Sequence, residues 1–468
     1  MKFEFKKLGP LYQGEIELAD LTVICGENNT GKTYITYALY GLFRSWRRHS
    51  EFEPTSQELD ALEETGLLKI DLRIKLAQTK KELKERLASN FQEHLPELLA
   101  AKSNSTLDTR IKLDFIIGEQ WQEKEFFDET RSEKGKLLLS INKLAKNGIV
   151  EITAAREDNE PIPRFALSQW IESALLNIVL GDVFPSNAFL ASTERTGAVI
   201  FKEELNLTQN RLLDLITQEK DVTRDIHPGK LFDTVYKQRR YAIPVKDNVD
   251  FVNQLGSLEN EESALIKEYP EIFDSFLEIL GGTFKTSKEG TTYFTPNSNK
   301  QLKLTLSEAS SSVRSLLLIA YYLRHIAKRG DWFMIDEPEL NLHPVNQRRF
   351  ARFISMMVNS GIKVFMTTHS DYIIKELNSL IMFHQDLPHY ASIKQKFGYK
   401  ADEKLDPKKV KLYMTGTDLF EIDGQKRKKR LNTLSEAKID PKYGIAVQTF
   451  DKSIEQMNEI QERIVYGD

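Results

Sequence analysis

Gly26-Glu27-Asn28-Asn29-Thr30-Gly31-Lys32-Thr33 constrains this chain more than any other stretch. The pattern G-x-x-x-x-G-K-[ST] is a phosphate-binding loop. Leu21-Thr22-Val23-Ile24-Cys25 precedes it, a short apolar run rich in β-branched residues that predicts a buried strand. Tyr34 to Phe43 follows, mostly apolar or aromatic and free of proline, and predicts a helix. Strand, glycine-containing loop and helix together aim consecutive backbone N–H groups and a helix N-terminus at one point, where a polyanion is favoured. Gly26 and Gly31 permit backbone geometry that a side chain would block. Lys32 is placed to reach phosphate oxygens, and Thr33 to ligate Mg²⁺.

A second run, Trp332-Phe333-Met334-Ile335-Asp336-Glu337, is four apolar residues ending in two carboxylates. Ligands of parallel α/β sheets collect at the carboxyl ends of strands. Asp336 is the candidate holder of Mg²⁺, and Glu337 the candidate general base for an attacking water. An acidic pair opening a helix at Pro338 is the plainer alternative. A third run, Val364-Phe365-Met366-Thr367-Thr368-His369-Ser370, places His369 at a strand end, where an imidazole can sense a terminal phosphate. His343 reads as a loop residue. Upstream, Ser310-Ser311-Ser312 opens an apolar helix, Leu316 to Ile326. Its hydroxyls suit helix capping. They also suit a phosphate carried by a second copy of the chain.

In this order and with these gaps, the pieces resemble the ABC-type ATPase heads of the SMC, RecF and OLD relatives. The resemblance covers roughly residues 1–45 and 300–380 well and the middle weakly. It implies an α/β fold, a phosphate-loop mixed sheet with helices that carries a large, mostly helical insertion with some strands. It also implies Walker B at Trp332–Glu337, a D-loop at Asn341–Pro344, a histidine switch at His369 and a signature at Ser310–Ser312. The family signature has glycine where this chain has Ser312, which puts close approach to a partner's terminal phosphate in question. Thr193-Glu194-Arg195-Thr196-Gly197, Met334 to Pro344 and Thr367 to Tyr372 look like the short ATPases of bacterial antiphage systems, such as PtuA of Septu and the Septu-like retrons or AriA of PARIS. The residues do not separate those two groups. The resemblance implies ATP and Mg²⁺ as cofactors, a homodimer or higher homo-oligomer, and a separately encoded HNH or Toprim effector, nuclease or toxin. DNA or a phage protein would be the trigger. The alternatives are a DNA-repair ATPase of RecF or SMC type that binds DNA directly, and a nucleotide-locked scaffold.

The domain organisation read from the chain is an ATPase head in two parts, 1–49 and 301–393. Insertions at 50–185 and 201–300 are bridged by a return strand at 186–200, and a C-terminal hairpin and helix occupy 394–468. Within it, Thr109 to Gly118 and Lys136 to Thr153 alternate as strands, and Leu167 to Leu180 reads as an amphipathic helix. Residues 202 to 280 read as mainly helical, Val410 to Asp423 as a surface hairpin and Ala446 to Arg463 as a final helix. The balance of 65 basic against 69 acidic residues leaves a net charge of −4, with no global field toward nucleic acid or membrane. One cysteine, Cys25, leaves no internal disulfide framework and suits a reducing cytoplasm. No apolar stretch of about 18 residues predicts a membrane span. The 88 residues after Leu380 are short for a fused nuclease domain, and Glu421-Ile422-Asp423 is the nearest acidic pair there. The basic runs Arg44 to His49 and Lys426 to Arg430 read as solvated surface, the second also as a contact for DNA phosphates or an acidic partner. Trp46 is weighed as a base-stacking residue against helix packing, and Phe5 as an adenine contact.

Overall fold

The computed structural model describes every residue except 102–105, 107, 133–134, 156–161, 203–240, 259–260, 288–289, 386, 422–427, 446–458, 462 and 464–468. The chain divides into two compact units. One comprises Met1–Glu4, Leu42–His94 and Arg110–Asn187, and the other Phe5–Gly41, Leu95–Thr109 and Ala188–Asp468.

The first unit is built on a four-stranded antiparallel sheet in the order Leu67–Asp71, Ile149–Ala154, Leu137–Lys143, Phe126–Arg131. Period-two alternation puts Leu68, Ile70, Leu139, Ile141, Val150 and Ile152 inside. Helix Ser56–Thr65 starts at a reciprocal cap: Thr55 accepts from the Glu58 N–H while the Glu58 carboxylate accepts from the Thr55 N–H. The strand expected over Thr109 to Gly118 is confined to Arg110–Asp114. Helix Arg164–Leu180 differs from the amphipathic expectation. Ala174, Leu175, Leu176, Ile178, Val179 and Leu180 are all buried, so its second half is covered on several sides. Trp46 settles as a packing residue. It is fully buried, stacks on Phe184 at 5.2 Å and donates its indole N–H to the Pro185 carbonyl at 3.2 Å. In the run from Arg44 to His49, Arg47 lies over Trp46 at 4.4 Å and donates to Asn177 at 2.8 Å.

The second unit carries the phosphate loop. Its strands run in the order Leu11–Glu17, Lys429–Glu436, Val410–Phe420, Leu21–Cys25, Lys363–Thr368, Trp332–Asp336, Ala188–Ala191. From Val410–Phe420 to Ala188–Ala191 every neighbour is parallel. Leu21–Cys25 and Trp332–Asp336 are buried at all five positions, as expected of parallel strands covered on both faces. Helix Pro344–Asn359 supplies the crossover between Trp332–Asp336 and Lys363–Thr368. Phe189, Tyr322 and Phe333 stack at 4.4 and 5.5 Å centroid spacings inside the core. The α/β mixed fold is therefore as the sequence predicts.

The hairpin expected at Val410 to Asp423 exists, but it is not a surface appendage. Val410–Phe420 pairs antiparallel with Lys429–Glu436 and parallel with the phosphate-loop strand Leu21–Cys25. Alternation hid this, because a strand buried at Val410, Leu412, Tyr413 and Thr415 yet exposed from Gly416 to Leu419 looks half-surface in sequence. A second hairpin, Gly282–Thr286 with Thr292–Pro296, fills the polar interruption before the head resumes. Of the helical reading over 202 to 280, residues 203–240 lie outside the described residues, and the remainder holds helices Ile243–Leu258, Ala264–Glu268 and Pro270–Leu280. Most of the final helix and Asp423 also lie outside them. Among the described residues no helix is long and apolar enough to cross a membrane.

Candidate nucleotide site

The phosphate loop, Asp336, Glu337, His369 and Ser310 to Ser312 all lie in the second unit; the loop, Asp336, Glu337 and His369 stand at the carboxyl ends of its parallel strands. The loop leaves Leu21–Cys25 at Gly26, turns through exposed Glu27, Asn28 and Asn29, and enters helix Lys32–His49. Gly26 has φ 140° and Gly31 φ 101°, both in the region where a side chain is strained. A Cβ on Gly26 would also collide with the Thr415 hydroxyl. Thr415 therefore backs the loop from the hairpin strand, and its hydroxyl lies 2.7 Å from that of Thr30. The Lys32 ammonium, 5% exposed, donates to the carbonyls of Gly26 at 2.9 Å and Glu27 at 2.8 Å. It is folded onto its own loop, within reach of the space that the loop encloses.

The loop and the acidic strand meet directly. The Thr33 hydroxyl donates to Asp336 Oδ2 at 2.8 Å, and the Thr367 hydroxyl donates to Asp336 Oδ1. Asp336 is fully buried, and burial pushes its carboxyl up from an ordinary 3.8 to about 6, against the lowering effect of those two hydroxyls. Among the described residues no cluster of three or more His, Cys, Asp or Glu stands ready as an all-protein metal cage. A buried carboxylate beside a threonine hydroxyl, with no cationic side chain bonded to it, instead fits a hard cation shared with phosphate oxygens, as Mg²⁺ is usually held.

Glu337 follows the strand with φ 52°, a left-handed backbone that costs a non-glycine residue about 1–2 kcal/mol. Its N–H donates to the Thr367 carbonyl at 3.2 Å. Its carboxylate Oε1 lies 3.6 Å from His369 Nδ1. The helix-opening alternative for the acidic pair fails here, because Asp336 closes a strand and the next helix begins only at Pro344. His369 stands one residue past its strand and is about 40% exposed. Its Nδ1 is 3.2 Å from Glu339 Oε1, which also accepts from the His369 N–H at 2.6 Å and the Thr368 hydroxyl at 2.9 Å. Burial raises the Glu339 carboxyl above its ordinary value. His343, read as a loop residue, caps helix Pro344–Asn359 by accepting from the Val345 N–H at 3.4 Å.

Ser310 caps helix Ser311–His325, accepting from the Val313 N–H at 3.3 Å and lying 2.9 Å from the Ser312 hydroxyl. Ser311 accepts from Arg314 at 3.1 Å. Ser310 and Ser311 are exposed, so the capping role and an outward-facing polar rim coexist. Phe5, the adenine guess, is 2% exposed and belongs to the core. In the run from Lys426 to Arg430 only the last three residues are described, and Lys428 pairs with Glu421 at 3.4 Å.

Sequence reasoning assigned no role to Arg195, Glu339, Thr367 or Thr415. Arg195, Glu339 and Thr367 stand inside the motifs that carry the family resemblance, and for Thr367 a polar residue inside a buried run is the usable signal. Thr415 gave none, since its place depends on strand pairing across 390 residues.

These pieces belong together in one family. The chain matches AAA_15, the AAA ATPase domain, over residues 8–374. This protein is a member of that AAA ATPase family. No curated protein matches the chain. Solved structures that are similar include an Smc head bound to the C-winged helix domain of ScpA, 11% identical over 97% of this chain and 98% of that one, TM-score 0.35. The SMC head domain from Thermotoga maritima is 11% identical over 94% and 98%, TM-score 0.29. With scores this low, the assignment rests on the family match alone.

The titration of Asp336 gives the AAA ATPase a testable pH response. Without metal, the folded chain keeps this carboxyl neutral up to about pH 6, whereas the unfolded chain ionises it near 3.8. The cost of its charge is therefore absent below the lower value, grows between the two and is complete above the upper one. A metal requires the ionised form. Mg²⁺-dependent ATP affinity is expected to fall about tenfold per pH unit below 6. Titrations at pH 7.5, 6 and 5, with Asp336→Asn as baseline for protonation of ATP itself, check it; a flat profile would rule out Asp336 as the titrating ligand.

Proposed function

We propose that this chain binds ATP with Mg²⁺ and hydrolyses it between head-to-tail copies, and that the assembly controls a separately encoded nuclease or toxin in antiphage defence. The observation that carries the ATPase part is the 2.8 Å bond from Thr33 to Asp336, which joins the phosphate loop to an acidic strand end 303 residues away. Lys32 exchanges its two loop carbonyls for phosphate oxygens. Thr33 and Asp336 would hold Mg²⁺, which would supply neutralisation of charge on the phosphates. Glu337 accepts a proton from the attacking water, and His369, braced by Glu339, hydrogen-bonds the terminal phosphate. Ser310, Ser311 and Ser312 of a second copy close the site. The defence role and the effector rest on the motif resemblance, in particular Thr193 to Gly197 and Met334 to Pro344.

The test is native mass measurement of the chain expressed with its neighbouring gene, with ATP and with ADP. ATP is expected to give a dimer or larger species that retains the neighbour's product. Ser311→Arg is expected to bind ATP, remain a single copy and turn over at less than about a tenth of the wild-type rate. Wild-type turnover in that variant would place the whole site within one chain.

A further inference from the structure

Arg195 is 1% exposed, and among the described residues no carboxylate is bonded to it. Among the described residues its guanidinium hydrogen-bonds to backbone carbonyls only. Nε donates to Ser315 at 3.0 Å, one terminal nitrogen to Ser192 and Asp336 at 2.8 Å each, and the other to Glu337 at 2.8 Å. Burial lowers its affinity for the proton, and the nearby charges of Asp336, Glu339, Glu337 and Glu194 oppose that. The four acceptors come from three elements. Ser192 follows the strand Ala188–Ala191, Asp336 ends Trp332–Asp336 and Glu337 follows it, and Ser315 lies in the first turns of the helix that Ser310 caps.

A buried charge spent on carbonyls alone is a costly way to fasten a core that apolar packing already fills. What it does here is geometric. A planar fork with fixed N–H directions sets the angle between elements in a way a single ammonium cannot. Glu337 is where that matters, because its φ of 52° must be held against relaxation for the carboxylate to keep its aim. Ser315 lies on the same helix as Ser310, Ser311 and Ser312, so one side chain ties the serine-led helix to the peptide of the candidate base.

We propose that Arg195 is a positioning residue that fixes the Glu337 turn and relays occupancy of the serine-led helix start to it. The proposal rests on the ATPase reading above. The side chain acts through the backbone of Glu337, whose carbonyl it holds.

The experiment compares ATP affinity, kcat, KM and Tm for wild type, Lys32→Ala, Arg195→Lys, Arg195→Gln, Ser311→Ala and Arg195→Lys with Ser311→Ala. Arg195→Lys keeps the charge and loses the fork. It is expected to keep ATP affinity within about threefold and to lower kcat at least tenfold. The Ser311→Ala effect on kcat should shrink to less than half in the Arg195→Lys background, because the relay is already cut. A purely structural role would lower Tm and raise KM as well as lowering kcat, and would leave the two substitutions additive; that result overturns the proposal, as does wild-type kcat in Arg195→Lys. If the substitutions prevent folding, amide exchange in the wild-type chain decides. ATP should slow exchange at 332–340 and at 310–316 together, and protection of one segment without the other overturns the relay. Failure of the ATPase reading looks different: wild type and Lys32→Ala would then be equally inactive.

Discussion

Lys32→Ala is expected to weaken ATP binding by more than about 100-fold, roughly 3 kcal/mol, and to bring hydrolysis to background. In the folded chain the ammonium already lies on the loop, held by the carbonyls of Gly26 and Glu27. Its loss removes the one cationic side chain of the loop and leaves the Gly26 carbonyl short of its buried partner, which adds a modest stability loss on the order of 1 kcal/mol. The discriminating measurement is the rise in Tm on adding Mg²⁺-ATP. Binding to the folded state raises Tm in wild type by mass action, and the rise should vanish in the variant. A variant that still gains the full rise would remove the loop from the site.

Glu337→Gln is expected to lower kcat by about 10²–10⁴ while ATP affinity stays near wild type, because a general base acts on the transition state and not on ground-state binding. The amide keeps the size of the side chain, and the backbone bonds from Arg195 and to Thr367 do not depend on the carboxylate. The variant should therefore hold ATP without consuming it, and single-turnover measurements should show the triphosphate persisting on the protein. Turnover at the wild-type rate would move the base elsewhere. Glu339 is then the next group to test, since its carboxylate is the one nearest to His369 Nδ1 at 3.2 Å.

Much of the candidate site is legible in the sequence because a phosphate-loop pattern is written in local chemistry. Gly26 and Gly31 stand where φ is positive, Lys32 and Thr33 open a helix, and Asp336 closes a run of buried apolar residues. Each of these is decided within about ten residues of chain, the range over which local pattern and propensity act. His369 is legible for the same reason, as the first residue beyond a short buried strand. The readings that failed are those that periodicity decides poorly. Leu167 to Leu180 alternates enough to look amphipathic, yet its environment covers several sides. Phe5 stands in an alternating strand and points inward.

The sequence by itself determined a glycine-lysine-threonine loop between a buried strand and a helix, and an acidic residue closing a second buried strand. Only the tertiary structure decided how these are held. The Val410–Phe420 strand lies beside the loop strand, with Thr415 behind Gly26. Glu339 braces His369. Arg195 joins the end of the acidic strand to the serine-led helix. The physical reason is that a cradle depends on backbone shape over a few adjacent residues, whereas these supports are pairings between segments far apart in the chain. Nothing local distinguishes an arginine bound for four buried carbonyls from one bound for solvent; its partners are set when the strands and the helix pack.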